Sequence, residues 1–173
     1  MTPSKERLAL RAYKRSFVAD RPVEQVSIRA AGRGDAEAVA RLHLLVRRVS
    51  MPYLPELHTL DETVAHFASV IGQQTVLVAE RGNSILGYCA YRDGWLDHLY
   101  VDPAHQRNGI GSDLLERASA SNPRLRLWVF QKNVGAIRFY ERHGFARIET
   151  TDGAANEERE PDALYERRQR SMQ

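Results

Sequence analysis

Val39, Leu42, Val46 and Val49 recur at spacings of three and four, and that stripe predicts an amphipathic helix over residues 36–49 with Asp35 as its N-cap. Met51-Pro52-Tyr53-Leu54-Pro55 breaks it. Val64, Phe67, Ala68 and Ile71 then predict a shorter helix from near Asp61, closed by Gly72. Residues 75–80 and 84–91 are β-rich runs joined by Arg81-Gly82-Asn83, which is hairpin chemistry, and 95–101 completes a meander. A helix over 109–118, a strand over 124–130 and a helix over 134–143 follow, the last closed by Gly144 in a left-handed conformation. Strands over 145–150 and 163–168 flank a loop at 152–156. A short strand over 25–30, with Val26 and Ile28 on one face, precedes the first helix. This order predicts a mixed α/β (α+β) sheet.

Residues 1–23 read as a basic N-terminal extension, with a weak helical pattern over 6–17 that Pro22 closes, and 24–173 as the domain proper. A chain of 173 residues fits one domain, and 43% hydrophobic with 27% charged residues is ordinary globular composition. The longest apolar runs, such as 75–79, fall far short of the roughly 20 residues a membrane span needs. The N-terminus lacks a signal-peptide core, and a single cysteine, Cys89, excludes an internal disulfide. A cytoplasmic protein without membrane contact is expected. Cys89, between Tyr88 and Ala90 in a strand, reads as a small core residue.

Charge changes this picture only at the start of the chain. Residues 1–50 hold 11 Lys/Arg against 5 Asp/Glu, and the remainder 14 against 17. No nucleic-acid recognition motif accompanies the basic start, so a solvated face is the expectation and nucleic acid is not the expected partner. No spacing suits a metal.

The chemistry concentrates in Leu99-Tyr100-Val101-Asp102-Pro103-Ala104-His105-Gln106-Arg107-Asn108-Gly109-Ile110-Gly111-Ser112. A strand enters a loop with two glycines one residue apart, and a helix starts directly after them. Exposed amides and the positive end of the helix dipole suit phosphate oxygens. The Gly-Lys-Ser/Thr ending of a triphosphate loop is absent, and so is a Gly-x-Gly-x-x-Gly opening after a first strand. A pyrophosphate held by backbone amides without a metal remains.

Gln106-Arg107-Asn108-Gly109-Ile110-Gly111 resembles the Q/R-x-x-G-x-G/A loop of the GCN5-related N-acetyltransferases (GNAT). Asn133, Ala136, Phe139-Tyr140-Glu141 and Gly144-Phe145 are similar to that family's second signature. The resemblance implies a GNAT-type, largely antiparallel sheet of six to seven strands flanked by about four helices. It implies acetyl-CoA as cosubstrate, bound by the backbone of Leu99, Tyr100 and Val101, by amides from Gln106 through Ser112, and by Asn133. Tyr140 is then the proton donor to the leaving thiolate, whereas its residue context alone also suits a packed ring with a wet hydroxyl.

The base stays open between Asp97 and His98, because strand alternation sets Trp95, Asp97, Leu99 and Val101 on one face and Leu96, His98 and Tyr100 on the other. Only one of the two is expected to face the acceptor. Tyr53, with Glu56 and His58, lies in the loop where the family builds specificity. Trp95, Asp162 and Tyr165 are the further residues expected near the acceptor. His43 and His66 are expected on helix surfaces and His105 in solvent. The implied function is acetyl transfer from acetyl-CoA to a primary amine of a small molecule by direct attack. A non-catalytic CoA-sensing module and a protein N-acetyltransferase are the alternatives, and a homodimer is left open.

Overall fold

The structure, a computed structural model, describes residues 25–168, so the extension and the pattern over 6–17 lie outside the described residues. The chain runs β1 (Ser27–Ala30), a 3-10 turn (Arg33–Asp35), α1 (Ala36–Ser50), α2 (Leu60–Gln73), β2 (Thr75–Arg81), β3 (Ser84–Arg92) and β4 (Trp95–Val101). A second 3-10 turn (Pro103–His105) leads to α3 (Ile110–Ala120), β5 (Arg124–Phe130), α4 (Val134–Arg142), β6 (Ala146–Thr150) and β7 (Asp162–Arg168). The seven strands lie in the order β1-β2-β3-β4-β5-β7-β6. All neighbours are antiparallel except β4 and β5, which run parallel.

β3 is buried from residue 86 to 91, a run too apolar for a one-sided strand, so helices must cover both faces. Cys89 joins Leu114, Leu115, Leu125 and Leu127 in a core beneath α3 and α4. Tyr88 and Ala90 join Val39, Val46, Phe67 and Val78 beneath α1 and α2. Burying each such large apolar side chain contributes on the order of 1.5–3 kcal/mol. Cys89 is fully buried, its thiol pushed up to about 12 by burial, which fits a core residue.

The parallel pair β4–β5 meets at one register position, Trp95 opposite Arg126, and the two strands part beyond it. Beside this split β4 carries a bulge. Ala90 pairs with His98 and Tyr91 with Leu96, leaving Asp97 unpaired. An extra residue in one strand reverses the facing of everything before it. Leu96 therefore packs in the α3–α4 core with Leu99 and Val101, and not on the face of His98 and Tyr100 where simple alternation puts it.

Several local expectations also change. Asp35 makes no side-chain cap bond, because its carboxylate accepts from Gly32 N and Arg29. Thr59 caps α2 in a reciprocal box with Glu62, and the helix runs past Gly72 to Gln73. Tyr165 is 2% exposed in the core, its hydroxyl 3.4 Å from Glu141, and does not line the acceptor cavity described below.

Candidate active site

The β4–β5 split has a different mouth on each face of the sheet. On the α3–α4 face, the loop after β4 turns through Arg107 at φ 64° and Gly109 at φ 83°, and Gly109 occupies the N-cap position of α3. A left-handed residue there suits glycine, and a Cβ on Gly109 would meet nothing within 4 Å. The turn thus opens its amides to free space at a helix N-terminus, and the residues present fit a pyrophosphate. Asp102 caps Ala104 N, Gln106 Nε2 donates to Val101 O at 3.2 Å, and Asn108 Nδ2 donates to His105 O at 3.4 Å, so the loop braces itself. His105 is half-buried and 3.3 Å from Asp102.

Gly111 lies against Phe139, where an added Cβ would sit 3.5 Å from the ring and 3.6 Å from Val101. Next to it, His143 Nδ1 lies 2.8 Å from Phe139 O, so that nitrogen donates and Nε2 accepts the Ser112 hydroxyl at 3.0 Å. The end of α4 is thereby tied to the first turn of α3. Asn133 uses its Oδ1 to cap α4 at Ala136 N, 3.2 Å away, which leaves its Nδ2 for another partner. Tyr140 is 8% exposed, its ring 5.4 Å from Phe139 and 5.5 Å from Phe145. Burial, then the neighbouring Tyr100 and Cys89, raises its phenol above the usual tyrosine range, so the hydroxyl keeps its proton.

On the α1–α2 face the split opens into a cavity of about 760 Å³. α1, the α1–α2 loop, α2, β4, β5 and the β6–β7 loop all contribute to its wall. Asp97 and His98 both line it, because the bulge projects the two together, contrary to the expectation that only one can face the acceptor. They differ in what holds them. Asp97 is exposed and 3.2 Å from Arg92 Nε. His98 is half-buried among rings, 5.6 Å from His43, 6.2 Å from His66 and 5.4 Å from Phe67.

Burial, then His66 and Arg47, lowers His98 to about 4, and burial, then His98 and Arg47, lowers His43 to about 3. Both imidazoles are therefore neutral near pH 7. His43 Nδ1 shares a 2.8 Å hydrogen bond with the buried Tyr88 hydroxyl. Two of these histidines were expected on solvated helix faces. The available signal was position: His43 borders the Val39–Leu42–Val46 stripe, and His66 directly precedes the buried Phe67. Among the described residues no group of three or more His, Cys, Asp or Glu could hold a metal ion.

The remaining expected acceptor residues scatter. Tyr53 does not line the cavity, and its buried hydroxyl has no hydrogen-bond partner beside Lys132, whose Nζ is 5.4 Å from the ring centre. Trp95 packs under Arg126, 4.3 Å from ring centre to guanidinium carbon, outside the cavity. Glu56 and His58 do line it, and Asp162 lines an adjoining hollow. The β6–β7 loop is held against the mouth by the Arg47–Glu158 ion pair and by a contact between His58 Nε2 and the Glu157 carboxylate, both 3.0 Å. No described helix is long and apolar enough to cross a membrane.

Comparison with known proteins gives a consistent picture. The acetyltransferase (GNAT) domain family matches residues 72–147. A probable N-acetyltransferase of Mycobacterium tuberculosis is 31% identical over 138 residues, covering 69% of this chain and 79% of its own length. The peptidyl-lysine N-acetyltransferase YiaC of Escherichia coli is 29% identical over 119 residues, covering 68% of this chain and 82% of its own. In fold, the chain is similar to a putative acetyltransferase of Salmonella typhimurium solved with its cofactor acetyl-CoA. That likeness has a TM-score of 0.66 at 19% identity, over 86% of this chain and 96% of the other.

Proposed function

The chain belongs to the GNAT acetyltransferases, and on that premise we propose that it is an acetyl-CoA-dependent N-acetyltransferase for a primary amine of a small molecule. The observation that carries this reading is the parting of β4 from β5, with an amide-lined turn on one face and a cavity holding neutral imidazoles on the other. Acetyl-CoA supplies an activated acyl group and a thiolate that leaves.

The chain's own residues do the rest. Amides from Gln106 through Ser112 hold phosphate oxygens, the backbone of Leu99, Tyr100 and Val101, where β4 has parted from β5, orients the arm of the cosubstrate, and Asn133 offers its Nδ2. His98 is the preferred base over Asp97, since its imidazole is neutral and uncommitted while the Asp97 carboxylate is engaged by Arg92. Surroundings that disfavour imidazolium also disfavour ammonium, so the amine sheds its first proton as it enters. The nitrogen–carbon bond forms as the carbon–sulfur bond breaks, His98 takes the second proton, and Tyr140 Oη gives one to sulfur.

A protein lysine is the second reading, supported by the name of the Escherichia coli relative. The test is thiol release from acetyl-CoA across small primary amines and lysine peptides, with the acetylated product identified by mass. Acetylation of small amines is expected. Thiol release without any acetylated amine overturns transfer, and acetylation of peptides alone moves the acceptor to protein.

A further inference from the structure

The acceptor cavity does not end at β5. A second hollow of about 400 Å³ shares Trp128, Phe130 and Glu158 with it and extends it along the β6–β7 loop, past Ala155 and Asn156. The Trp128 indole and the Phe130 ring belong to the walls of both. Trp128 is 44% exposed although β5 lies inside the sheet and its neighbours Leu127 and Val129 are 1% and 7% exposed. A large aromatic left open beside a cavity, on a strand with its register fixed opposite Leu164 of β7, is a preformed platform and not a mobile tip.

Charge does not compete for this space. Every carboxylate facing the acceptor cavity already has a partner on the protein: Glu56 with Arg48, Glu62 with Thr59 N, Asp97 with Arg92, Glu157 with His58 and Glu158 with Arg47. In the second hollow, Asp162 is held by Thr151 and Asn156, and Asn156 also bonds the backbone of Glu160 on both its oxygen and its nitrogen. What remains to line the second hollow is largely apolar, and its two largest side chains, Trp128 and Phe130, are aromatic.

We propose that the acceptor is a primary amine carrying an uncharged aromatic or flat apolar substituent, which lies on Trp128 and Phe130 in the second hollow while its amine reaches His98. Trp128 is then the residue that sets specificity. This rests on the acetyltransferase reading, but the seat itself can be read without turnover.

The experiment compares phenethylamine, ethylamine and spermidine on the protein and on Trp128→Ala and Trp128→Phe. The kcat/KM for phenethylamine exceeds that for ethylamine by on the order of 10- to 100-fold, the value of burying one ring. Trp128→Ala brings that ratio close to one, and Trp128→Phe keeps most of it. An indole with a merely structural role lowers both amines together and leaves the ratio intact, which overturns the proposal. So does a preference for spermidine with a KM that climbs steeply with salt. Calorimetry of phenethylamine without acetyl-CoA, on protein whose thermal unfolding is checked, reads binding directly. Binding that depends on Trp128 with no turnover of any amine sustains the seat and sinks the acetyltransferase reading. Turnover of small amines without the aromatic preference does the reverse.

Discussion

The two mouths of the β4–β5 split are built in opposite ways. On the α3–α4 face the atoms proposed to bind are backbone amides from one short stretch, 106–112, braced by side chains within a few residues. On the α1–α2 face they are side chains from six separate parts of the chain, held by ion pairs such as Arg47–Glu158 between its opposite ends. Backbone recognition of phosphate tolerates sequence change except where the turn demands glycine. Side-chain recognition changes with any one contributing element. One scaffold can therefore keep its cosubstrate while its acceptor varies.

Tyr140, buried in the α3–α4 core with Tyr100 and Cys89 among the neighbours of its phenol, is the proposed proton donor, and its loss has the largest expected effect. Tyr140→Phe removes a hydroxyl and little volume from a ring packed between Phe139 and Phe145. The single-turnover rate is expected to drop by about 10²- to 10⁴-fold, the range for a general acid, with acetyl-CoA affinity by calorimetry nearly unchanged. A rate within about threefold of the parent, far outside that range, makes Tyr140 a packing residue and gives the proton to water.

A matched pair of glycines separates the mouths themselves. At Gly153 in the β6–β7 loop, φ is +80° and an added Cβ would lie 2.4 Å from Glu160 backbone atoms, so the loop carrying Glu157 and Glu158 must move. At Gly109 the φ is +83° with open space around it, so alanine meets only left-handed strain, roughly 1–2 kcal/mol. Gly153→Ala is expected to raise the amine KM on the order of tenfold or more, leaving the acetyl-CoA KM in place. Gly109→Ala is expected to do the opposite, by about tenfold or less. Two variants that each shift both constants alike contradict the separation.

The same contrast decides what was readable in the sequence. The 106–112 loop and the run from Asn133 to Phe145 are contiguous, so their spacing survives in one dimension, and strand β5 is found over the same residues that its pattern predicts. The acceptor mouth exists only after folding. His43 and His66 sit on the polar flanks of their helices, where periodicity reads solvent, and they are enclosed only because β4 and the β6–β7 loop arrive opposite them. The bulge at Asp97 was hidden for a related reason. Trp95 to Val101 alternates acceptably in either phase, and only pairing with β3 shows that one residue is skipped. Trp128 carried no signal, since an aromatic in an apolar strand predicts burial.

Acid pH produces the smallest expected effect and tests whether the acceptor mouth is dry. His98 faces His66 and Phe67 from α2, His43 and Arg47 from α1, and Tyr88 and Tyr100 from the sheet. Its folded value, about 4, and that of His43, about 3, lie below the model-peptide value of 6.5. Below pH 6.5 the unfolded chain therefore takes up protons that the native cavity refuses. Stability is full above pH 6.5 and is lost as pH falls toward 4. Carboxylates held low by arginine or by a cap, such as Asp35 and Glu62, add their own loss only below about pH 4.5. Between pH 6.5 and 4.5 the midpoint of thermal unfolding should fall on the order of 10 °C. His98→Gln, which cannot titrate, should flatten that slope, whereas an exposed histidine replaced in the same way should not. A midpoint that stays level from pH 6.5 to 4.5 would mean that water reaches both imidazoles. The amine would then lose its first proton inside the cavity and not at its entrance.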